Sequence, residues 1–291
     1  MVNSETLQAI LAFGPVFLLI AARAFAMLQT APIISSEGVP AVVRITLAGF
    51  AAFAAMPTAE VFFAPGQPGT GFAALINGAT GDLRWEPFSL AFLLLLVGEA
   101  TIGIITGFFL TIILATFATA GQFFSLQMGL AASETFDPLS QIENPLMGQF
   151  LNLVAMLVFI TIGGLQHLFL GFWRSVQTIN ILHLLEGREA VVSMMAAGLA
   201  MLFLDAIVIS LPILGTLFLT SLTTGLISKA APQINILSEG FPISILTAYV
   251  VIVAALPFMT ETFAGIINAG FGTLESLFIQ IGQPITGGDG F

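Results

Sequence analysis

Cysteine is absent from this chain, and positive charge nearly so: Lys229 and five arginines make up the whole basic complement. The missing thiols exclude disulfides, thiol nucleophiles and thiolate metal sites, and leave the redox compartment open. Six basic residues against 16 acidic ones give a net charge of −10. That argues against a nucleic-acid partner, because phosphates are gripped by Lys and Arg. It also gives positive-inside counting little to count, so orientation stays open. Histidine occurs twice, as His167 and His183, without HExxH spacing, and neither a phosphate-binding glycine loop nor a GxSxG elbow is present. His167, inside an apolar tract, reads as a side chain bonded to a neighbouring carbonyl, and His183 as a solvated one. The sequence therefore points away from an enzyme and offers no catalytic, metal or cofactor residues.

What the chain does have is apolar surface. Of its 291 residues 57% are hydrophobic and 8% charged, against roughly a quarter charged in a soluble domain; mean hydropathy is +1.06. Too few polar groups exist to cover a soluble surface, so the natural surroundings are lipid, other apolar subunits, or both. Backbone groups facing hydrocarbon must pair within the chain, which leaves helices or closed barrels. A barrel needs short alternating strands; here residues 88–132 run apolar with Glu99 as the one charge. The expected class is all-α, a polytopic helical membrane protein of bent helices and helical hairpins.

Six apolar tracts approach or exceed the roughly 20 residues that span a bilayer: residues 7–33, 39–63, 88–132, 150–173, 191–228 and 241–281. The first, which carries Arg23 and follows an N-terminus without a basic n-region, reads as a retained helix and not a cleaved leader. The third is too long for one simple span, and is either a hairpin or one helix continuing outside the bilayer. Gly103 and Gly107 within it have the small-xxx-small spacing that permits close helix approach, or are incidental glycines. Gly163-Gly164 interrupts the fourth. Pro212 and Pro257 in the late tracts favour bent helices or hairpins. Residues 64–87, rich in Gly and Pro, read as a wet loop, and the Gly-rich tail 282–291 as loose.

Glu60 and Glu275 also fall inside apolar tracts, but the acids singled out there are Glu99, Asp205 and Glu261, because charge in hydrocarbon is costly. They are either proton or ion carriers, or acids that are neutral, paired or at helix ends; Arg23, which stays charged, is the clearest partner. A further feature is the polar break after Phe123 and Phe124. Gln127, Met128, Gly129 and Leu130 lead through Ser133 and Glu134 to Phe136, Asp137 and Pro138. At membrane depth, irregular backbone is tolerated only inside protein or beside a wet cavity. Gly129 permits unusual backbone angles, and Asp137-Pro138 favours a turn. Met and Phe could close a passage, or the segment is an ordinary connection between helices.

Leu126-Gln127-Met128-Gly129-Leu130 followed by Phe136-Asp137-Pro138 resembles a stretch of the FliR/SpaR/YscT family of type III secretion export-gate proteins, and its flagellar branch above all. Two more blocks agree in order. Arg23, Pro32, Pro40 and Arg44 resemble the family's first helices and their connection. Pro232 and Gln233, then Gly240-Phe241-Pro242, resemble its late motif. The departures are Ser238-Glu239 and Lys229, in or beside that late block, and the loop 64–87 and Gly-rich tail, which look peculiar to this chain.

The resemblance implies one export-gate membrane domain over residues 1–291. It implies a non-enzymatic subunit that forms a pore with FliP and FliQ, with FlhB and FlhA nearby, passing unfolded flagellar substrates. The location implied is the bacterial inner membrane, within the flagellar basal body. Residues 127–130 and 136–138 would then plug the closed channel. The alternatives are an injectisome homologue, or a proton-coupled secondary transporter using the three acids, against which the lack of an internal repeat argues.

Overall fold

The computed structural model describes residues 4–36, 38–63, 90–129, 146–179, 181–231 and 236–282. Among them every regular element is a helix: α1 (Ser4–Thr30), α2 (Ala41–Phe63), α3 (Leu90–Gln127), α4 (Leu146–Thr161), α5 (Gly164–Thr178), α6 (Ile181–Glu186), α7 (Arg188–Ala230) and α8 (Ile236–Gly282). Four stretches are long and apolar enough to cross a membrane, Ala41–Thr58, Phe92–Gln127, Arg188–Ala230 and Gly240–Gly282, and α4 with α5 makes a fifth if the pair is one broken span. The chain is an all-α polytopic membrane protein.

Each of the three long tracts is one unbroken helix, of 38, 43 and 47 residues for α3, α7 and α8. This settles the hairpin question left open by the sequence. Apolar runs carry no turn signal, and Pro212, Pro242 and Pro257 sit inside helices whose ladder continues past them. At 1.5 Å per residue these helices have contours of about 57–70 Å. The fourth tract does break, at Ile162-Gly163, where Gly163 takes φ +76°. Here the Gly-Gly pair of the sequence does end a helix.

The helices contribute to two compact units. Unit 1 comprises Met1–Thr111, Leu165–Ala196 and Gly270–Phe291; unit 2 comprises Ile112–Gly164 and Ala197–Ala269. In unit 1, α1 packs on α2, and Leu19 and Leu95 form a buried cluster with Phe92, Leu96 and Ile181 around it. Gly103 and Gly107 are what let α3 approach α1. A Cβ at Gly103 would stand 3.0 Å from the Met27 nitrogen, and one at Gly107 2.6 Å from the Met27 carbonyl oxygen. Thr111 Oγ1 then donates to Thr30 O at 2.6 Å, closing the same contact with a hydrogen bond.

In unit 2, Phe117 and Phe263 are fully buried with ring centroids 4.1 Å apart. Phe124, Leu151, Ile209 and Ile213 are buried there as well.

Candidate functional site

Two local arrangements gather the residues singled out by the sequence. In unit 1, Arg23 on α1 and Glu99 on α3 are both buried, at 3% and 2% exposure. Arg23 Nε donates to Glu99 Oε2 at 2.6 Å. The rest of the guanidinium reaches the end of α5. Nη1 donates to Ser175 O at 2.6 Å and to Ser175 Oγ at 3.3 Å, and Nη2 to Ile179 O at 2.8 Å. Those carbonyls belong to the last turn of α5 and the residue after it, where helix acceptors run short of backbone donors; Ser175 O also takes the Ile179 N–H at 3.0 Å. A cation there also meets the negative end of the helix dipole. One side chain thus pins three segments far apart in sequence, and its planar fork of donors suits the task in a way Lys would not.

Arg44, the second arginine of the N-terminal block, holds the connection between α1 and α2. It donates from Nη2 to Val39 O at 2.9 Å and to Ser36 O at 3.4 Å, and from Nη1 to Gln29 Oε1. Pro40 stands just before α2, and its carbonyl accepts from Val43 N at 3.0 Å. A residue with fixed φ and no N–H fits that place. Pro32 lies half-buried in the turn that follows α1.

In unit 2, α3 ends in a left-handed glycine. Gly129 has φ +79°, and its N–H donates to Leu126 O at 3.1 Å. Met128 beside it is fully buried, while Gln127 is exposed. The ring of Phe241, in the first turns of α8, is packed onto Gly129 where a side chain would otherwise stand. Gly129 therefore meets two demands at once: a positive φ, and room for Phe241. Two of the three sequence blocks, Met128-Gly129 and Gly240-Phe241-Pro242, come together here. Gly240 is half-buried, and Pro242 is exposed on α8. Leu130, Phe136, Asp137 and Pro138, with Pro232 and Gln233, lie outside the described residues, as do the loop 64–87 and the tail beyond 282.

The three intramembrane acids do not form one group within either unit. Glu99 is in unit 1; Asp205, half-buried on α7, and Glu261, exposed on α8, are in unit 2. His167 is exposed, with its ring centroid 5.3 Å from that of Phe271. Sequence reasoning missed the partners Ser175, Ile179 and Gln29, and the ion pair of Arg174 with Glu275. Backbone carbonyls carry no sequence signature, and the last pair is 101 residues apart.

Residues 15–270 match the family described as Bacterial export proteins, family 1. The "Flagellar biosynthetic protein FliR" of Bacillus subtilis (strain 168) is 26% identical over 282 residues, 95% of this chain and 99% of that protein. The protein of the same name from Escherichia coli (strain K12) is 30% identical over 257 residues, 84% and 87% of the two chains. "Surface presentation of antigens protein SpaR" of Shigella sonnei is 26% identical over 181 residues, 62% and 69%. The match covers both units, taking in the Arg23–Glu99 node and the Gly129–Phe241 contact, and on it this chain belongs to the bacterial export proteins of family 1.

Proposed function

We propose that this chain is a non-enzymatic subunit of the flagellar type III secretion export gate. In this reading it forms a pore with FliP and FliQ in the bacterial inner membrane, at the centre of the flagellar basal body. Unfolded flagellar proteins pass through, and FlhB and FlhA stand at the cytoplasmic side. The two relatives named FliR, each matched over most of its length, support the flagellar assignment.

One observation carries the gate reading further than a name. Within unit 2, large apolar side chains stand exposed along α7 from Leu199 through Phe203, Leu211 and Leu219 to Ile227, a contour of about 42 Å. A straight helix tilted by 40°, the upper end of what is seen, keeps only about 39 Å within a 30 Å hydrocarbon core. Lipid therefore covers only part of that stripe, and contiguous apolar surface left over calls for protein. A subunit built into a ring of other helical subunits has that requirement; a self-contained pump does not. Glu99, one of the acids a proton-carrier reading relies on, is engaged by Arg23.

Residues 127–130 and 136–138 are assigned the role of obstructing the closed channel. Gly129, anchored by Phe241, stands at the root of that segment. The test is purification in mild detergent through a tag on this chain. FliP and FliQ should copurify in excess over it; recovery of a lone, folded chain from cells that express both would end the proposal.

A further inference from the structure

The geometry points to a phospholipid site in unit 1, with an amine-bearing zwitterionic headgroup of the phosphatidylethanolamine class held at Arg174 and Glu275, and an acyl chain lying in the cavity beside them. The cavity, of about 260 Å³, is formed by α3, α5 and the end of α8. Its floor is apolar and buried, made by Leu110, Leu168, Leu274 and Phe278. Its rim carries the opposite charges of Arg174 and Glu275, an ion pair whose side chains are 55% and 51% exposed.

The order of these groups along the helices matters. Arg174 lies one turn before the end of α5, and Glu275 two turns before the end of α8. On α5 the wall runs back from Arg174 to Leu168 and His167, and on α8 it extends to both sides of Glu275, from Phe271 to Phe278. Opposite charges in the last two turns of two helices, beside a buried apolar floor, match the layout of a lipid at the membrane interface, headgroup at the charges and chain on the floor. The volume lies just under the 300–1,000 Å³ of common ligand pockets, enough for part of one chain.

The pair of charges selects the headgroup. A guanidinium takes phosphate in a bidentate way, and a carboxylate accepts from a primary ammonium. An anionic headgroup would find Glu275 beside Arg174, on a chain of net charge −10. A zwitterion finds a partner for each end. Because exposed ion pairs are weakly held, exchanging each partner for a lipid group costs little.

Gly171 supplies a variant that fills the cavity. It lines the wall, and a Cβ added there meets nothing within 4 Å, so a side chain at this position has room without displacing the backbone. The experiment takes the full chain, purified in detergent with the subunits that copurify with it, adds equimolar palmitoyl-oleoyl phosphatidylethanolamine and phosphatidylglycerol, and counts retained lipid by native mass spectrometry. Each variant is first shown to melt at the parent's temperature. The parent should retain phosphatidylethanolamine in preference to phosphatidylglycerol. Gly171→Phe should retain less of both. Arg174→Gln should lose about tenfold in phosphatidylethanolamine, the worth of one charge-assisted hydrogen bond. Glu275→Gln should shift the preference toward phosphatidylglycerol. Equal retention by parent and variants would overturn the assignment, as would a parent that ignores headgroup chemistry or one that retains no lipid because protein fills the cavity.

Discussion

Arg23 and Glu99, 76 residues apart in sequence, meet at 2.6 Å in the buried interior of unit 1, and the same guanidinium closes the end of α5 through Ser175 and Ile179. A buried pair of this kind need not add stability compared with an apolar pair, but losing one partner strands the other charge. That asymmetry sets the first expectation.

Arg23→Ala and Glu99→Ala should each destabilise the protein by about 3–5 kcal/mol. Glu99→Gln, which keeps an acceptor for Nε, should cost less. The double variant Arg23→Met, Glu99→Met should recover part of the loss, but not the part owed to the Ser175 and Ile179 carbonyls that lose the guanidinium. Thermal melting of the detergent-solubilised variants, read as a double-mutant cycle, measures the coupling. Strictly additive losses would mean that the pair is not the linchpin described.

The contact of α1 with α3 makes a second expectation. Gly103→Leu and Gly107→Leu force backbone apart and should cost about 1–3 kcal/mol or more each. Gly215→Ala on α7, where a Cβ meets nothing within 4 Å, should be neutral or stabilising by up to about 1 kcal/mol. Accumulation in membranes and melting temperature separate the two classes; equal tolerance at all three positions would contradict the close approach.

At the end of α3, Gly129→Ala suffers twice. The left-handed angle costs an L-residue about 1–2 kcal/mol, and the new methyl meets the ring of Phe241. Adding Phe241→Ala should relieve the steric share only, so the double variant should sit above the sum of the singles yet below the parent. Melting curves of the three variants decide; a double variant restored to parental stability would remove the backbone argument.

For the proposed plug, deletion of residues 133–136 should leave the assembled gate leaky to ions in resting cells. Conductance of complexes in planar bilayers, compared with the parent, is the direct reading. Deleted complexes as tight as the parent would assign the obstruction elsewhere.

Much of this fold is legible in sequence, because the bilayer makes helices nearly compulsory wherever long apolar runs occur. The small-xxx-small spacing of Gly103 and Gly107 is visible too, and so is the cost of placing Arg23 among apolar residues. What sequence withholds is register. Glu99, Asp205 and Glu261 look alike as candidate partners for Arg23, and nothing local says which of three distant acids lies opposite. Nor does an apolar run reveal whether it turns: α3, α7 and α8 continue as single helices where hairpins would have satisfied the same hydrogen-bonding rule. The Gly129–Phe241 contact was hidden for the same reason. Each residue belonged to a block that could be singled out, but their meeting is a property of packing. Arg174 gave no signal, and Glu275, a further acid inside the sixth apolar tract, pointed to no partner, since nothing local ties it to an arginine 101 residues away.

The central claim is that this chain is an essential part of a conduit for flagellar proteins. It is tested most directly by measuring flagellar subunits secreted into the medium by cells that lack the chain. The account predicts no secreted subunits and no filaments, with export restored by the wild-type gene and not by Arg23→Ala. Normal secretion and swimming without the chain would contradict it.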